Sequence, residues 1–124
     1  MTIQSLIDAL PPEGGIIHLP AGDFSAESPI VMRDNVILCG EGPPTIIPRV
    51  VGNGAARHFG FGLRDLIVDG AHNAGYGIDW RNVTNGSIDH VIARNVTYGL
   101  VLDYLAYYND INFLFVDASQ VAVE

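Results

Sequence analysis

Asp69, Arg94 and Asp117 each close a short apolar run, Asp65-Leu66-Ile67-Val68-Asp69, His90-Val91-Ile92-Ala93-Arg94 and Phe113-Leu114-Phe115-Val116-Asp117, at offsets of 25 and 23 residues. If the runs stack, the three charges share one column, with neighbouring strands about 4.8 Å apart. Two chemistries suit such a column. An acid beside an arginine can act on a sugar acid, the arginine serving as base or as neutraliser of the substrate carboxylate. The same charges can also form an ion ladder between exposed strands, each pair contributing a few tenths of a kcal/mol. Asp69 and Arg94 are therefore candidate catalytic residues, with the ladder as their structural alternative.

Asp79, Asp89, Asp103 and Asp110 could together offer oxygens to calcium, which takes several carboxylate and carbonyl ligands. No compact Asp-x-Asp-x-Asp-Gly loop gathers them, so solvated coil edges are the competing reading and no metal is assigned. His18, His58, His72 and His90 never fall in a His-x-x-x-His pair or beside the lone Cys39, and each is read as an edge or turn residue. Gly52-Asn53-Gly54 and Gly60-Phe61-Gly62 lack the following helix that a phosphate loop requires. Asn82-Val83-Thr84, Asn85-Gly86-Ser87 and Asn95-Val96-Thr97 fit the glycosylation pattern, but Asn is also a favoured residue of tight corners. Turn geometry is preferred for all three. Tyr76, Trp80, Tyr98, Tyr104, Tyr107 and Tyr108 crowd the second half of the chain. Trp80 is assigned to the interior, and Tyr104, Tyr107 and Tyr108 to a surface patch able to stack on sugars or anchor a partner.

The charge balance narrows the partners. Fourteen acidic residues stand against six basic ones, all arginine, for a net charge of −8. This argues against a nucleic-acid partner, because phosphates require a basic face. Acidic polysaccharides would be repelled at long range unless a cation bridges them or the arginines gather on one side. No apolar run approaches the roughly 18 residues of a membrane span. The opening Met1 to Gly15 has neither the charged nor the apolar region of a signal peptide. A membrane role is thus not expected, and the compartment is left open.

The elements that must position these residues follow from periodicity. Ile3, Leu6, Ile7 and Leu10 recur at helical spacing, with Thr2 as N-cap and Pro11-Pro12 as the stop, so Thr2 to Leu10 is predicted as a short one-faced helix. Beyond it, short apolar runs alternate with Gly, Asn, Asp and Pro, the punctuation of many short strands. Asn35-Val36-Ile37-Leu38-Cys39 overlays the three runs above, 30 residues before the first of them. Tyr76-Gly77-Ile78 recurs as Tyr98-Gly99-Leu100 after 22 residues, and Arg81-Asn82-Val83-Thr84 as Arg94-Asn95-Val96-Thr97 after 13. One coil therefore carries more than one strand and turn. Leucine-rich repeats share such periods but need a Leu-x-x-Leu-x-Leu frame, which is missing. The expected fold is an all-β solenoid, a right-handed parallel β-helix of about four coils. Residues 1–12 would form its capping helix and 13–124 its coils, in a single domain.

Side chains alternate across a strand. The inward columns are then Val36, Leu66, Val91, Leu114 and Leu38, Val68, Ala93, Val116. The outward middle column is Ile37, Ile67, Ile92 and Phe115.

Three segments, Thr2 to Leu10, Glu13-Gly14-Gly15-Ile16-Ile17-His18-Leu19-Pro20-Ala21-Gly22-Asp23-Phe24, and Ser28 to Met32 followed by Asn35 to Gly42, resemble the opening of the pectate lyase superfamily of right-handed parallel β-helices. The resemblance is close over residues 1–48 and looser beyond, and it implies the fold more than an activity. Ile88-Asp89-His90 is similar to the Trp-Ile-Asp-His strand of pectate lyases, where the Asp lies near the calcium site, with Ser87 in place of the tryptophan. Their following Asp-Gly-Leu stands here as Tyr98-Gly99-Leu100. Polygalacturonase motifs are absent, and the Asp-Phe-Gly-Ala-like lead and further coils of the catalytic members are missing.

The outward column of Ile37, Ile67, Ile92 and Phe115 is apolar in all four repeats, and contiguous apolar patches mark interfaces. Either a second copy covers it, or a loop of the chain, such as residues 48–62, folds over it. Gln120 to Glu124 starts another strand without a cap, which also invites pairing. The leading expectation is a non-catalytic module that assembles as a homo-oligomer, a trimer in the simplest form, and binds carbohydrate through its tyrosines. The alternative is a polysaccharide lyase, or part of one, built on Asp69, Asp89 and Arg94.

Overall fold

The computed structural model describes residues 2–52, 57–71, 75–102, 106 and 108–123, and side chains up to residue 117. One helix, α1 (Ile3–Asp8), precedes β1 (Gly15–His18), β2 (Gly22–Asp23), β3 (Ile30–Val31), β4 (Val36–Cys39), β5 (Thr45–Ile47) and β6 (Val50–Val51). Then come β7 (His58–Phe59), β8 (Gly62–Asp69), β9 (Tyr76–Asp79), β10 (Val83–Thr84), β11 (Ser87–Val101) and β12 (Asp110–Val123). Every strand pair is parallel, and the strands wind into a β-solenoid of about four turns.

Each turn has three walls. The first stacks Ile16, Ile37, Gly62, Ser87 and Asp110, drawn from β1, β4, β8, β11 and β12. The second stacks Asp23, Ile46, Ile67, Ile92 and Phe115. The third stacks Ile30, Val50, Ile78, Leu100 and Val123. The strands β8, β11 and β12 are long because they run round a corner from one wall to the next. The short pair β7 and β10 lies just before the first wall.

Inside, apolar columns run the length of the stack. Ile17, Leu38, Leu63 and Ile88 line the first wall, Ile47, Val68 and Ala93 the second, and Ile30, Val50, Ile78 and Leu100 the third, all buried. Trp80 is fully buried, as its position implied, and meets Phe61 edge to face with ring centroids 6.3 Å apart. Ile3 and Ile7 of α1 join this core. Fully burying an aliphatic side chain stabilises by roughly 1.5–3 kcal/mol. These columns carry most of the favourable free energy.

The helix is shorter than its periodicity suggested. Thr2 and Ser5 form a reciprocal capping box at 3.1 and 3.0 Å. At the other end the Arg33 guanidinium donates to the carbonyls of Ile7, Leu10 and Pro11 at 2.7, 3.1 and 3.0 Å, drawing the chain out of helical geometry. Gln4 faces the edge of the first coil, where its amide accepts from Val31 N–H at 2.8 Å and donates to Val31 C=O at 3.0 Å.

The 25- and 23-residue offsets and the 22-residue Tyr76-to-Tyr98 offset appear as direct strand registers. The 30-residue offset does not. Ile37 pairs with Gly62 in the first wall, and Ile67 pairs with Ile46 in the second. The second coil reaches its second wall only after the Gly40–Pro44 turn, so a run that looked equivalent belongs one wall earlier. Val36 and Leu38 do point inward, but in the first wall. Ile37 lies over bare glycine backbone, since a Cβ on Gly62 would come within 2.8 Å of Ile37 Cγ1.

Corners are set by residues in the left-handed region. Gly14, Asn35, Gly60, Asn85 and Tyr108 occupy it one turn apart, with φ of 82, 60, 73, 58 and 56°. Asp65, His90 and Phe113 do so at the next corner, with φ of 55, 52 and 57°. Asn82 and Asn95 adopt it too, so all three glycosylation-like asparagines are corner residues. Gly, Asn and Asp enter this region at little cost, whereas a bulky side chain is strained there. Phe113 and Tyr108 are the exceptions to the pattern. The left-handed conformation costs Phe113 roughly 1–2 kcal/mol, against about 0.5–1.5 kcal/mol from its ring contact with His90. Phe113→Asn is therefore expected to raise stability by about 0.5 kcal/mol, read as a higher midpoint in thermal melting of the dilute chain. A lower midpoint would show that ring packing outweighs backbone strain.

Candidate functional site

The second wall brings together two of the three candidate catalytic residues. Asp69 and Arg94 are register partners on β8 and β11, and Arg94 Nε donates to Asp69 Oδ2 at 2.9 Å. Asn95 Nδ2 donates to both carboxylate oxygens at 3.2 Å, and the Ala71 N–H donates to Oδ1 at 2.7 Å. Burial by itself would raise the Asp69 pKa. The backbone hydrogen bond from Ala71 and the side-chain bonds from Arg94 and Asn95 outweigh it and hold the carboxyl below its ordinary value of 3.8. This carboxylate is buried and fully occupied, and it clamps the corner after β8 to the next coil. The pair of Asp69 with Arg94 has the form of the ladder, whereas Asp117, exposed on β12, stands in register with Arg94 without an ion pair to it.

Asp89 is on the other side of a corner. It belongs to the first wall, in register with Arg64 and Asn112, and its Oδ1 lies 2.6 Å from Nδ1 of the adjacent His90. Because His90 turns the chain in the left-handed region, Asp89 and Arg94 flank the apolar middle of the second wall. The His90 ring stacks on Phe113 with centroids 4.8 Å apart. Beside this stack opens an outer groove of about 490 Å³, lined by Pro43, Asp65, His90, Ile92, Phe113 and Phe115 among others.

The apolar outward column is present but differs from the expectation in two ways. Its second-coil member is Ile46, not Ile37. It is also unevenly covered: Ile67 is only 5% exposed, Ile92 half-buried and Phe115 66% exposed. Of residues 48–62, Val50–Val51 and His58–Phe59 are wall and corner strands, and residues 53–56 lie outside the described residues. The loop that borders the strip is Gly42-Pro43.

The remaining candidates disperse. Asp79 is held by Arg81 through Oδ1 at 2.9 Å and Oδ2 at 2.5 Å, Asp110 is exposed at the start of β12, and Asp103 lies outside the described residues. Among the described residues no group of three or more His, Cys, Asp or Glu could share a metal ion. Tyr104, Tyr107 and His72 also lie outside the described residues. Tyr108 is 85% exposed at its strained corner. Tyr76 and Tyr98 stack at 5.0 Å on the third wall, with the Arg81 guanidinium 5.4 Å above Tyr76.

Sequence reasoning passed over two features. His58 is no free edge residue: its Nδ1 meets Asp34 Oδ1 at 2.9 Å, and the same oxygen accepts from Phe59 N–H at 3.1 Å. Phe113 was visible as an aromatic at the position where sister coils carry Asp65 and His90. That is the signal that could have marked the groove.

Asp69→Asn keeps the shape but removes the charge, and is expected to cost about 1–3 kcal/mol by chemical denaturation at neutral pH. A carboxyl depressed in the folded state contributes stability that is fully present above 3.8 and lost as pH falls through and below that value. The wild-type advantage over the variant should therefore shrink as the pH is lowered to about 3. A constant difference would contradict the ionic clamp. Comparison with family models, with curated proteins and with solved structures gives no match for this chain, so the pectate lyase resemblance rests on its motif residues alone.

Proposed function

We propose that this chain is a non-catalytic β-solenoid module that self-associates through the outside of its second wall, with a trimer as the simplest assembly. The observation that carries the reading is the continuous patch of Ile92, Phe113 and Phe115, in which the two phenylalanines are 69% and 66% exposed. Two neighbouring aromatic rings left in water are costly, and burying them against a partner recovers that free energy. The polar groups of the wall support the same reading. Asp69 is engaged in holding two coils together, which leaves it ill suited to exchange protons with a substrate. Carbohydrate contact through Tyr108, with Tyr104 and Tyr107 as its sequence neighbours, is a further part of the proposal, supported by the exposure of Tyr108.

The mass in solution tests the assembly. The wild-type chain should run as a multiple of the monomer mass in light scattering, and Ile92→Asp with Phe115→Asp should run as a folded monomer. A monomeric wild type, or an unchanged mass in the double variant, would sink the reading. Incubation with a uronate polymer and calcium should give no rise in the ultraviolet absorbance of unsaturated sugars. A rise that disappears in Arg94→Gln would favour the lyase alternative instead.

A further inference from the structure

We infer that the copies associate side by side, with the symmetry axis parallel to the solenoid axis, so that the Asp89 flank of one subunit meets the Arg94 flank of its neighbour. The inference rests on the proposed self-association and assigns its geometry.

The apolar strip of Ile67, Ile92 and Phe115 runs along the stack, one residue per coil. Its two flanks differ in charge. On one side, at and just before the corner, stand Arg64, Asp65, Asp89, His90, Asn112 and Phe113. On the other stand Asp69, Arg94 and Asp117. A second copy can face this strip in two simple ways.

If the axis crosses the stack, running along the strands, each flank meets its own kind with the coil order reversed. Centred on Ile92, that arrangement sets Asp89 against Asp89, Arg94 against Arg94 and Asp69 against Asp117. Like charges brought together in an interface are strongly disfavoured. If the axis runs along the stack, each coil faces the same coil of its neighbour, and opposite flanks meet. Asp89 then approaches Arg94, exposed Arg64 approaches the Asp69 edge, and neutral Asn112 approaches Asp117. Asp65 also faces the Asp69 edge, but that carboxylate is already enclosed by Arg94, Asn95 and Ala71. Only the second arrangement is complementary, and it serves a cyclic dimer or trimer equally well.

Arg94 is equipped for this contact. It spends Nε on Asp69, and among the described residues its two terminal nitrogens have no acceptor. The side chain is 38% exposed. Asp89 is also exposed and is oriented by its contact with His90. A planar guanidinium can hold one carboxylate through Nε and reach a second through its terminal nitrogens.

Crosslinking separates the two arrangements. Sheets packed face to face stand about 10 Å apart, beyond the reach of a disulfide, so a short bismaleimide is the suitable probe. In a Cys39→Ser background, an equal mixture of Asn112→Cys and Asp117→Cys subunits should give a covalent dimer joined through those two positions. A mixture of Asn112→Cys and Arg64→Cys should not, because these positions meet only when the axis crosses the stack. All three sites are exposed and outside the apolar strip, so the variants should retain the fold and the association. Asp89→Arg should in addition weaken association at least tenfold without lowering the melting midpoint of the dilute chain. An oligomer that links in the second mixture, or in neither, overturns the side-by-side geometry while leaving self-association intact. A wild-type monomer would instead remove the self-association on which the geometry rests.

Discussion

A coil of this molecule cannot hold its shape alone. The backbone N–H and C=O groups of its strands find partners only in the coil before and the coil after. Parallel stacking at a fixed spacing therefore governs everything else, because it requires each inward residue to sit on an inward residue of the next turn. The buried columns through Leu38, Val68 and Ile78 are the outcome. Corners obey the same rule, since a chain that must turn at the same place in every coil needs the left-handed conformation at the same place. That is why glycine and asparagine recur there, and why an aromatic at such a position is conspicuous.

The stacking rule also determines which residues are available to act on anything else. Whatever points inward is committed to the core, and whatever joins two coils from outside, as Asp69 does with Arg94 and Asn95, is committed to the clamp. The remainder is the middle of each wall and the aromatic corners. On the second wall these remnants lie together, with apolar residues in a line and charges of mixed sign along its borders. Such a surface has the composition of a contact face: dry at the centre, polar at the rim. Charged groups at a rim contribute more to orientation than to affinity.

The fold was legible because periodicity survives in this chain. The recurrences that relate Asp69 to Arg94 and Tyr76 to Tyr98 are true coil repeats, and strand parity correctly separated Ile67 and Ile92 from Leu66 and Val91. What misled was the first repeat. An apolar run carries no mark of the wall it belongs to, and a turn such as Gly40–Pro44 shifts the count without altering the pattern, so Ile37 was placed above Ile67 when its neighbour is Gly62. The site was less legible than the fold. Parity shows that a residue faces out, but not that a loop from an earlier coil borders it, as Pro43 does, nor that Ile67 is covered while Phe115 is not. Nor does sequence spacing show that Asp89 and Arg94, five residues apart, stand on different walls.

Gln4 gives the solenoid a property that none of its coils possesses. By answering the N–H and C=O of Val31 with its own amide, one side chain imitates the peptide unit of a neighbouring strand and occupies the place another strand would take. The edge of the first coil at Val31 is thus closed to strand addition by a group that cannot itself be extended. A stack closed in this way at Val31 does not readily grow into a fibre by adding a strand there. Such a seal leaves the sides of the stack and its opposite end as the faces open to contact.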